Sequence, residues 1–149
     1  MSGVLLVEDD QFKREKIIDA LKSQGLADGL VLASSVHMAV RELEEHAFDL
    51  IILDMALPSH TVGPGESPPN SMLSGGMEVI MELSYRGRND PLIVLTQYPE
   101  IEIEGELLDL ERSASKLKEM FGSLVRATIL YEHQGEEWKR LLDQALGRL

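Results

Sequence analysis

The amino-acid sequence predicts an α/β fold, a doubly wound parallel sheet with helices on both faces. Two observations lead to this prediction. Short runs that are apolar throughout recur along the chain, as expected of strands that are buried on both faces. Between them lie segments with apolar residues at helical spacing, and strands that alternate with helices form right-handed crossovers in a parallel sheet.

The strands are predicted from apolar segments that are bounded by polar or turn residues. In chain order, these are Val4–Val7, 30–32, Leu50–Leu53, 92–95 and a strand within 124–131. A helical pattern follows each of them, so the chain contains five repeats of a strand and a helix. This arrangement favours a flavodoxin-like sheet with the strand order 2-1-3-4-5.

The helices are predicted from apolar residues that recur three or four positions apart. Helix by helix, these are Phe12, Ile17, Ile18 and Leu21; Val36, Ala39, Val40 and Leu43; Val79, Ile80 and Leu83; Leu107, Leu110, Ala114, Leu117 and Phe121; and Trp138, Leu141, Leu142 and Ala145. Ser34 or Ser35 is expected to cap the second helix. The fourth helix is expected to be long and to pack its apolar stripe against the core. Leu108 and Met120 would widen this apolar face, so a homodimer contact through it stays open.

Composition narrows the classes of function. The chain has 149 residues, the usual size of one domain, so a single domain over 1–149 with no output domain is expected. A net charge of −12 argues against nucleic acid or an anionic membrane as a direct partner. The absence of cysteine excludes disulfides and thiolate metal sites. No apolar run approaches the ~20 residues that cross a bilayer and no secretory signal is present, so a cytoplasmic location is expected.

One stretch interrupts the alternation of strands and helices. From about 59 to 75 the chain is rich in glycine and proline and poor in apolar residues. We expect an inserted loop there, and its length leaves open either a plain flexible insertion or a lid or partner-contact segment. His60 lies in this stretch without a second ligand at metal-binding spacing.

Acidic residues directly follow two of the predicted strands. Glu8, Asp9 and Asp10 come after the first strand, and Asp54 comes after the third. In the order 2-1-3-4-5 these strands are neighbours at the point where the strand order reverses, which is where such folds bind ligands. Asp10 is expected to be a helix N-cap. The other carboxylates would repel one another unless a hard cation such as Mg²⁺, which takes oxygen ligands, binds between them.

A hydroxyl is expected at the same edge of the sheet, because Thr96 ends the fourth predicted strand. Taken alone, Thr96 is equally consistent with a cap for the next helix. A carboxylate beside Mg²⁺ with a hydroxyl opposite can accept a phosphoryl group as an acyl phosphate.

The motifs at these strand ends resemble those of response-regulator receiver domains from two-component signalling. The matching segments are, in order, VLLVEDD (4–10), LIILDMALP (50–58) and LIVLT (92–96), with Gly76 ahead of a helix. The resemblance implies that Asp54 is the phosphoacceptor and Thr96 the switch hydroxyl. It also implies a Mg²⁺ ion bound by Asp9 directly, by Glu8 through water, by Asp54, and by the backbone carbonyl of Ala56.

The chain departs from the family pattern in two places. The family carries a lysine at the end of the fifth strand, whereas here that place falls near Tyr131, and no lysine lies between Lys118 and Lys139. A tyrosine hydroxyl donates a hydrogen bond but supplies no positive charge at neutral pH. Asp54 and Gly76 are 22 positions apart, more than is usual in the family, so the insertion lies beside the site.

Two functions remain in competition. The first is a stand-alone receiver that accepts a phosphoryl group on Asp54 from a sensor histidine kinase or phosphotransfer protein and signals to a protein effector in trans. The second is a phosphorylation-independent, receiver-like interaction module, which the missing lysine favours. A conventional enzyme is not expected, because Ala56 stands where an aspartyl phosphatase has a second acid, and no GxGxxG loop or Ser-His-Asp arrangement occurs.

Overall fold

The computed structural model describes residues 3–58 and 75–149. The loop expected at about 59–75, with His60, lies outside the described residues except for Gly75, where a helix begins. Within the described ranges, no helix is long and apolar enough to cross a membrane.

Strands and helices alternate along most of the described chain. In order, they are β1 (Val4–Val7), α1 (Gln11–Ser23), β2 (Val31–Ala33), α2 (Val36–Glu45), β3 (Leu50–Leu53), α3 (Gly75–Tyr85), β4 (Leu92–Thr96), β5 (Glu100–Ile103), β6 (Glu106–Asp109), α4 (Leu110–Phe121), β7 (Val125–Leu130) and α5 (Glu137–Leu146). One sheet has the order β2-β1-β3-β4-β7, with every neighbouring pair parallel. The α/β class and the order 2-1-3-4-5 are therefore confirmed, with β7 as the fifth strand.

Each face of the sheet carries an apolar core, because the side chains of a strand alternate between the two faces. On one face, Leu5 and Ile51 pack with apolar residues of α2, α3 and α4. On the other face, Leu6 and Ile52 pack with apolar residues of α1 and α5. The central strands are thus buried on both sides, and polar side chains follow them only where the strands end.

Two helices begin at side chains that cap them. Asp10 accepts a hydrogen bond from the Lys13 backbone N at 3.0 Å, which confirms it as the N-cap of α1. Ser35, rather than Ser34, caps α2 and accepts from the Met38 backbone N at 3.1 Å. Each cap satisfies a backbone donor at the helix start and is typically worth about 1 kcal/mol.

The inner face of α1 differs from the prediction in its first turn. Ile17 and Leu21 are buried as expected, but Phe12 is 55% exposed, and Lys13 is the buried residue. Residues 13, 17 and 21 are four positions apart and share one face of the helix. The prediction was wrong at Phe12 because the pattern counted apolar residues alone.

The prediction of one long fourth helix was also wrong in its first part. Residues 100–109 form a hairpin in which β5 and β6 pair antiparallel, with Ile101 opposite Leu108. The turn lies at Glu104 and Gly105, which both have positive φ. Glutamate and isoleucine alternate through β5 with the two-residue period of a strand, and glycine at the turn allows the left-handed backbone.

Helix α4 therefore starts at Leu110, after the hairpin. Asp109 caps it and accepts from the Arg112 backbone N at 2.8 Å. Two members of the predicted stripe do not face the core: Leu107 is 53% exposed on β6, and Ala114 is exposed on α4. Leu117 is buried as expected, whereas Leu108 is buried in the core and does not widen an exposed apolar face.

A charged pair joins the start of β4 to the end of α2. Asp90 Oδ2 accepts hydrogen bonds from the Phe48 backbone N and from Arg88 Nη2, both at 2.7 Å. Arg88 also donates to the backbone carbonyls of Leu43 and His46. Burial alone would raise the pKa of Asp90, but the hydrogen bonds from Arg88 and Phe48 outweigh it and hold that pKa below its usual value.

We expect Asp90→Asn to lower the free energy of unfolding at pH 7 by about 1–3 kcal/mol, measured by urea denaturation. A lowered folded-state pKa means that the ionised group stabilises the fold above its unfolded pKa of about 4. The difference from the wild type should therefore shrink as the pH falls below about 4. Asp28→Asn, in an exposed turn, is the control and should change stability by less than about 0.5 kcal/mol. Equal stability of Asp90→Asn and the wild type at pH 7 would contradict this account.

Candidate functional site

Three carboxyl groups meet at the carboxyl ends of β1 and β3. Glu8 and Asp9 follow β1 and Asp54 follows β3, and these strands pair in parallel with Val7 opposite Leu53. One oxygen from each group lies within 4.8 Å of the others. Glu8 and Asp54 are buried, whereas Asp9 is exposed. The predicted convergence of these side chains at the switch point is confirmed.

A buried lysine that the sequence analysis missed lies against these carboxylates. Lys13 Nζ is 2.7 Å from Glu8 Oε1 and 3.5 Å from Asp54 Oδ1, and its side chain is 0% exposed. It also donates a hydrogen bond to the Leu95 backbone carbonyl at 2.8 Å. The signal that could have revealed it is its position four residues before Ile17, on the buried face of α1.

The backbone after β3 holds Asp54 in place. Ala56 lies two residues beyond Asp54 and is buried. Its backbone N donates a hydrogen bond to Asp54 Oδ1 at 3.4 Å. Gly76, in the first turn of α3, donates from its backbone N to the Met55 carbonyl at 2.8 Å. A Cβ at Gly76 would lie 2.7 Å from the Asp54 carbonyl oxygen and 2.6 Å from Met55 Cα. Only glycine lets α3 approach this turn so closely.

Thr96 is the last residue of β4 and is fully buried. Because β4 adjoins β3, Thr96 lies at the same edge of the sheet as Asp54. Its Oγ1 accepts a hydrogen bond from the Tyr98 backbone N at 3.2 Å. The alternative interpretation of Thr96 as a helix cap was wrong, because the next element is strand β5.

Tyr131 immediately follows β7, the place at which the sequence analysis expected it. The centre of its ring is 5.4 Å from Lys13 Nζ, and its hydroxyl oxygen is 3.2 Å from His133 Nδ1. Burial, together with nearby carboxylates, raises the pKa of Tyr131 above its usual value of 10. The phenol is therefore neutral at pH 7 and adds no charge to the site.

Burial raises the pKa of all three carboxyl groups. For Glu8, burial and then the charge of Asp54 raise the pKa to about 7, although Lys13 acts in the opposite direction. For Asp54, burial outweighs the lowering by Lys13 and by the Ala56 backbone N. These directions reflect three acids gathered in one place, with one ammonium group among the described residues in ion-pair contact.

The donor set fits a hard divalent cation. Such an ion takes carboxylate oxygens as ligands and keeps several waters, and here three carboxylate oxygens are within reach of one position. Glu8 Oε1 is buried and, although close to Lys13, has no hydrogen bond of good geometry. Once all three acids are ionised, the one positive charge of Lys13 does not balance them. A bound cation would neutralise the negative charge that remains.

Comparison with known proteins identifies the family. The model of the response regulator receiver domain matches residues 4–120. The chain belongs to this family. The Detocs response regulatory protein DtcB of Vibrio alginolyticus is 38% identical over 140 residues, which cover 92% of this chain and 94% of that protein. A protein of the same name from Enterobacter cloacae is 23% identical over 138 residues, covering 91% of this chain and 92% of that protein.

Solved receiver structures share the fold at low sequence identity. The N-terminal domain of a response regulator/sensory box/GGDEF protein from Carboxydothermus hydrogenoformans has a TM-score of 0.63 at 18% identity, covering 98% of this chain and 91% of that chain. The receiver domain of a Pseudomonas aeruginosa PAO1 sensor histidine kinase, with magnesium in its active-site cleft, has a TM-score of 0.56 at 21% identity and 98% coverage of both chains. A chain from the complex of histidine kinase ThkA with response regulator TrrA has a TM-score of 0.57 at 20% identity, covering 98% of this chain and 99% of that chain.

In the metal-free protein, we expect stability to fall as the pH rises towards about 7. A pKa that is raised in the folded state means that the protonated carboxyl stabilises the fold below its unfolded pKa, about 4. That stabilisation is lost as the pH rises through the folded value, which is about 7 for Glu8. Urea denaturation in EDTA across this range measures the effect, and stability that rises steadily from pH 5 to 8 would contradict it.

Asp9→Asn removes one of the repelling charges. In EDTA at about pH 8 it should raise the melting temperature by about 2–4 °C, the equivalent of about 1 kcal/mol. Magnesium should raise the melting temperature of the wild type and have much less effect on Asp9→Asn, since a ligand has been lost.

The matched control for this variant is Asp10→Asn. It removes the same charge one residue further along and keeps a side chain that caps helices well. Asp10→Asn should therefore retain the full response to magnesium. A magnesium shift of the same size in the wild type and Asp9→Asn would argue against a metal site at these carboxylates.

Proposed function

We propose that this chain accepts a phosphoryl group on Asp54, with Mg²⁺ bound at the neighbouring carboxylates, and signals through contacts with a separate protein. The observation that carries the proposal is the meeting of Glu8, Asp9 and Asp54 within 4.8 Å at the edge where Thr96 also lies. The receiver domain with magnesium in its active-site cleft supports the identity of the ion.

Asp54 has the position and chemistry of the proposed nucleophile. With phosphohistidine as the donor, a carboxylate oxygen of Asp54 forms a bond to phosphorus while the bond from phosphorus to the histidine nitrogen breaks. That nitrogen keeps the electron pair of the broken bond. The Ala56 backbone N, 3.4 Å from Oδ1, limits rotation of the carboxylate. Only the ionised form attacks, and a cation bound beside Asp54 would favour that form against the effect of burial, which raises the pKa of Asp54.

The metal ligands in this proposal are Asp9, Asp54, the backbone carbonyl of Ala56, and Glu8 through water. When bound, Mg²⁺ supplies positive charge next to the oxygens of the phosphoryl group. Thr96 is the proposed switch, because its hydroxyl lies at the end of β4 and now accepts from the Tyr98 backbone N. A hydrogen bond from Thr96 to a phosphoryl oxygen would reorient this hydroxyl and so alter its contact with the segment that leads into β5.

The proposed phosphodonor is a sensor histidine kinase or a phosphotransfer protein. Membership of the receiver family supports it, and so does the fold shared with a chain from the complex of ThkA and TrrA. Two relatives that align over more than nine-tenths of their length are named as Detocs response regulatory proteins. We therefore assign this chain the same regulatory role in a system of that kind, with its effector acting in trans.

A phosphorylation-independent interaction module is the second candidate. The observation in its favour is that neutral Tyr131, and not a lysine, follows β7. In that case a protein partner binds equally well whether or not a phosphodonor is present.

Intact-mass measurement after incubation with Mg²⁺ and acetyl phosphate tests the choice between the two functions. The wild type should gain one phosphoryl group, and Asp54→Asn should gain none because it lacks the nucleophile. Asp49→Asn is the control, since this exposed acid lies at the other end of β3 and should be labelled like the wild type. No labelling of a folded wild type that still responds to magnesium would favour the second candidate, and labelling of Asp54→Asn would exclude Asp54 as the acceptor.

A further inference from the structure

We propose that Lys13 is the cation that binds the phosphoryl group as it is transferred to Asp54. This inference deepens the proposed function and rests on it. The cation would thus come from the first turn of α1. The residue at the end of the fifth parallel strand is Tyr131, which carries no positive charge.

The position of the ammonium group is the first support. Lys13 Nζ has three acceptors around it: Glu8 Oε1 at 2.7 Å, the Leu95 carbonyl at 2.8 Å and Asp54 Oδ1 at 3.5 Å. Of the described residues, Lys13 is the one whose cationic group lies within 4 Å of Asp54. The neighbouring Arg14 donates instead to the backbone carbonyl of Glu8 at 3.4 Å.

The burial of this lysine is the second support. Moving an ammonium group out of water is unfavourable, and ordering a long side chain adds an entropic cost. A methionine at position 13 would cover the buried face of α1 beside Ile17 and Leu21 without either cost. Packing therefore does not account for a lysine here, whereas a requirement for positive charge among these carboxylates does.

The uneven contacts of the ammonium group indicate how it would act. Its two short contacts, to Glu8 and to the Leu95 carbonyl, fix the end of the side chain. Its longer contact, to Asp54 Oδ1, is directed at the carboxylate that would carry the phosphoryl group. A charge-assisted hydrogen bond to a phosphoryl oxygen would thus form without rebuilding the site, which is the condition for strong electrostatic stabilisation of transfer.

Lys13→Met tests the role with acetyl phosphate as the donor. In this reaction an Asp54 oxygen bonds to phosphorus, the bond from phosphorus to the acetyl oxygen breaks, and acetate leaves with its electron pair. The initial rate of labelling, followed by intact mass in saturating Mg²⁺, should fall about 100-fold or more, the usual effect of losing one preorganised donor. Lys16→Met, which removes an exposed lysine from the same helix, should label at the wild-type rate.

Magnesium affinity, measured by calorimetry on the same variants, separates this role from two others. Removing a positive charge close to the carboxylates should make Mg²⁺ binding about tenfold tighter in Lys13→Met, even as labelling slows. A purely structural lysine would lower both quantities on removal, since the site itself would be disturbed. If the lysine merely occupied the place of the metal, its removal would tighten Mg²⁺ binding and leave labelling in saturating Mg²⁺ as fast as in the wild type. Either of these outcomes overturns the proposal.

The double variant Lys13→Met with Tyr131→Lys provides a second test. The Tyr131 ring centre lies 5.4 Å from Lys13 Nζ, so a lysine side chain from position 131 can bring its ammonium group to the same place. We expect the double variant to be labelled at least about tenfold faster than Lys13→Met. A rate no higher than that of Lys13→Met would contradict a role that depends on charge.

The proposed function and the role of Lys13 fail in different ways. If the wild type is not labelled at all, the proposed function itself fails. If the wild type and Lys13→Met are labelled at equal rates, Asp54 remains an acceptor and only the role of Lys13 is lost.

Discussion

Buried negative charge at the ends of β1 and β3 is the constraint on which this site depends. The parallel sheet fixes where Glu8, Asp9 and Asp54 lie, and the cores on both faces remove water from two of them. Such a group of carboxylates has three means of relief, namely protonation, an internal ammonium group or a bound cation. Burial raises the pKa of Glu8 to about 7, which favours the first, and Lys13 supplies the second. The surplus of charge that remains at neutral pH is the physical reason for expecting the third.

Lys13 also connects helix α1 to the ends of three neighbouring strands. Its ammonium group links α1 to Glu8 after β1, to Asp54 after β3 and to the Leu95 carbonyl in β4. Leu95 precedes Thr96, whose hydroxyl contacts the backbone that leads to the hairpin of β5 and β6. A change of charge at Asp54 would therefore act on α1 through Lys13 and on the hairpin through the end of β4.

The sequence predicts the sheet and the carboxylates well because both leave short, local signals. Strands buried on two faces are uninterrupted apolar runs, and Asp54 follows such a run directly. Lys13 leaves only a weak local signal, its place four residues before Ile17, because a lysine is normally exposed. Two of its three contacts are with residues far along the chain, Asp54 and Leu95. The hairpin was missed because Leu107 falls in helical register with Leu110 and Leu117, although it lies on a strand. The alternation of glutamate and isoleucine before it and the glycine at the turn distinguish the two structures.

A cation that comes from α1 and not from β7 changes what the rest of the site can do. Tyr131 is free to pack as an aromatic residue, with its ring centre 5.0 Å from those of both His133 and Trp138. The ring centre of His133 is in turn 5.3 Å from that of Phe12, the residue before Lys13. Helix α1 is thus held at adjacent positions, by charge inside the site and by an aromatic contact at the surface. If Lys13 moves when Asp54 gains a phosphoryl group, we expect the exposed contact between Phe12 and His133 to change with it, because Phe12 is the adjacent residue of the helix.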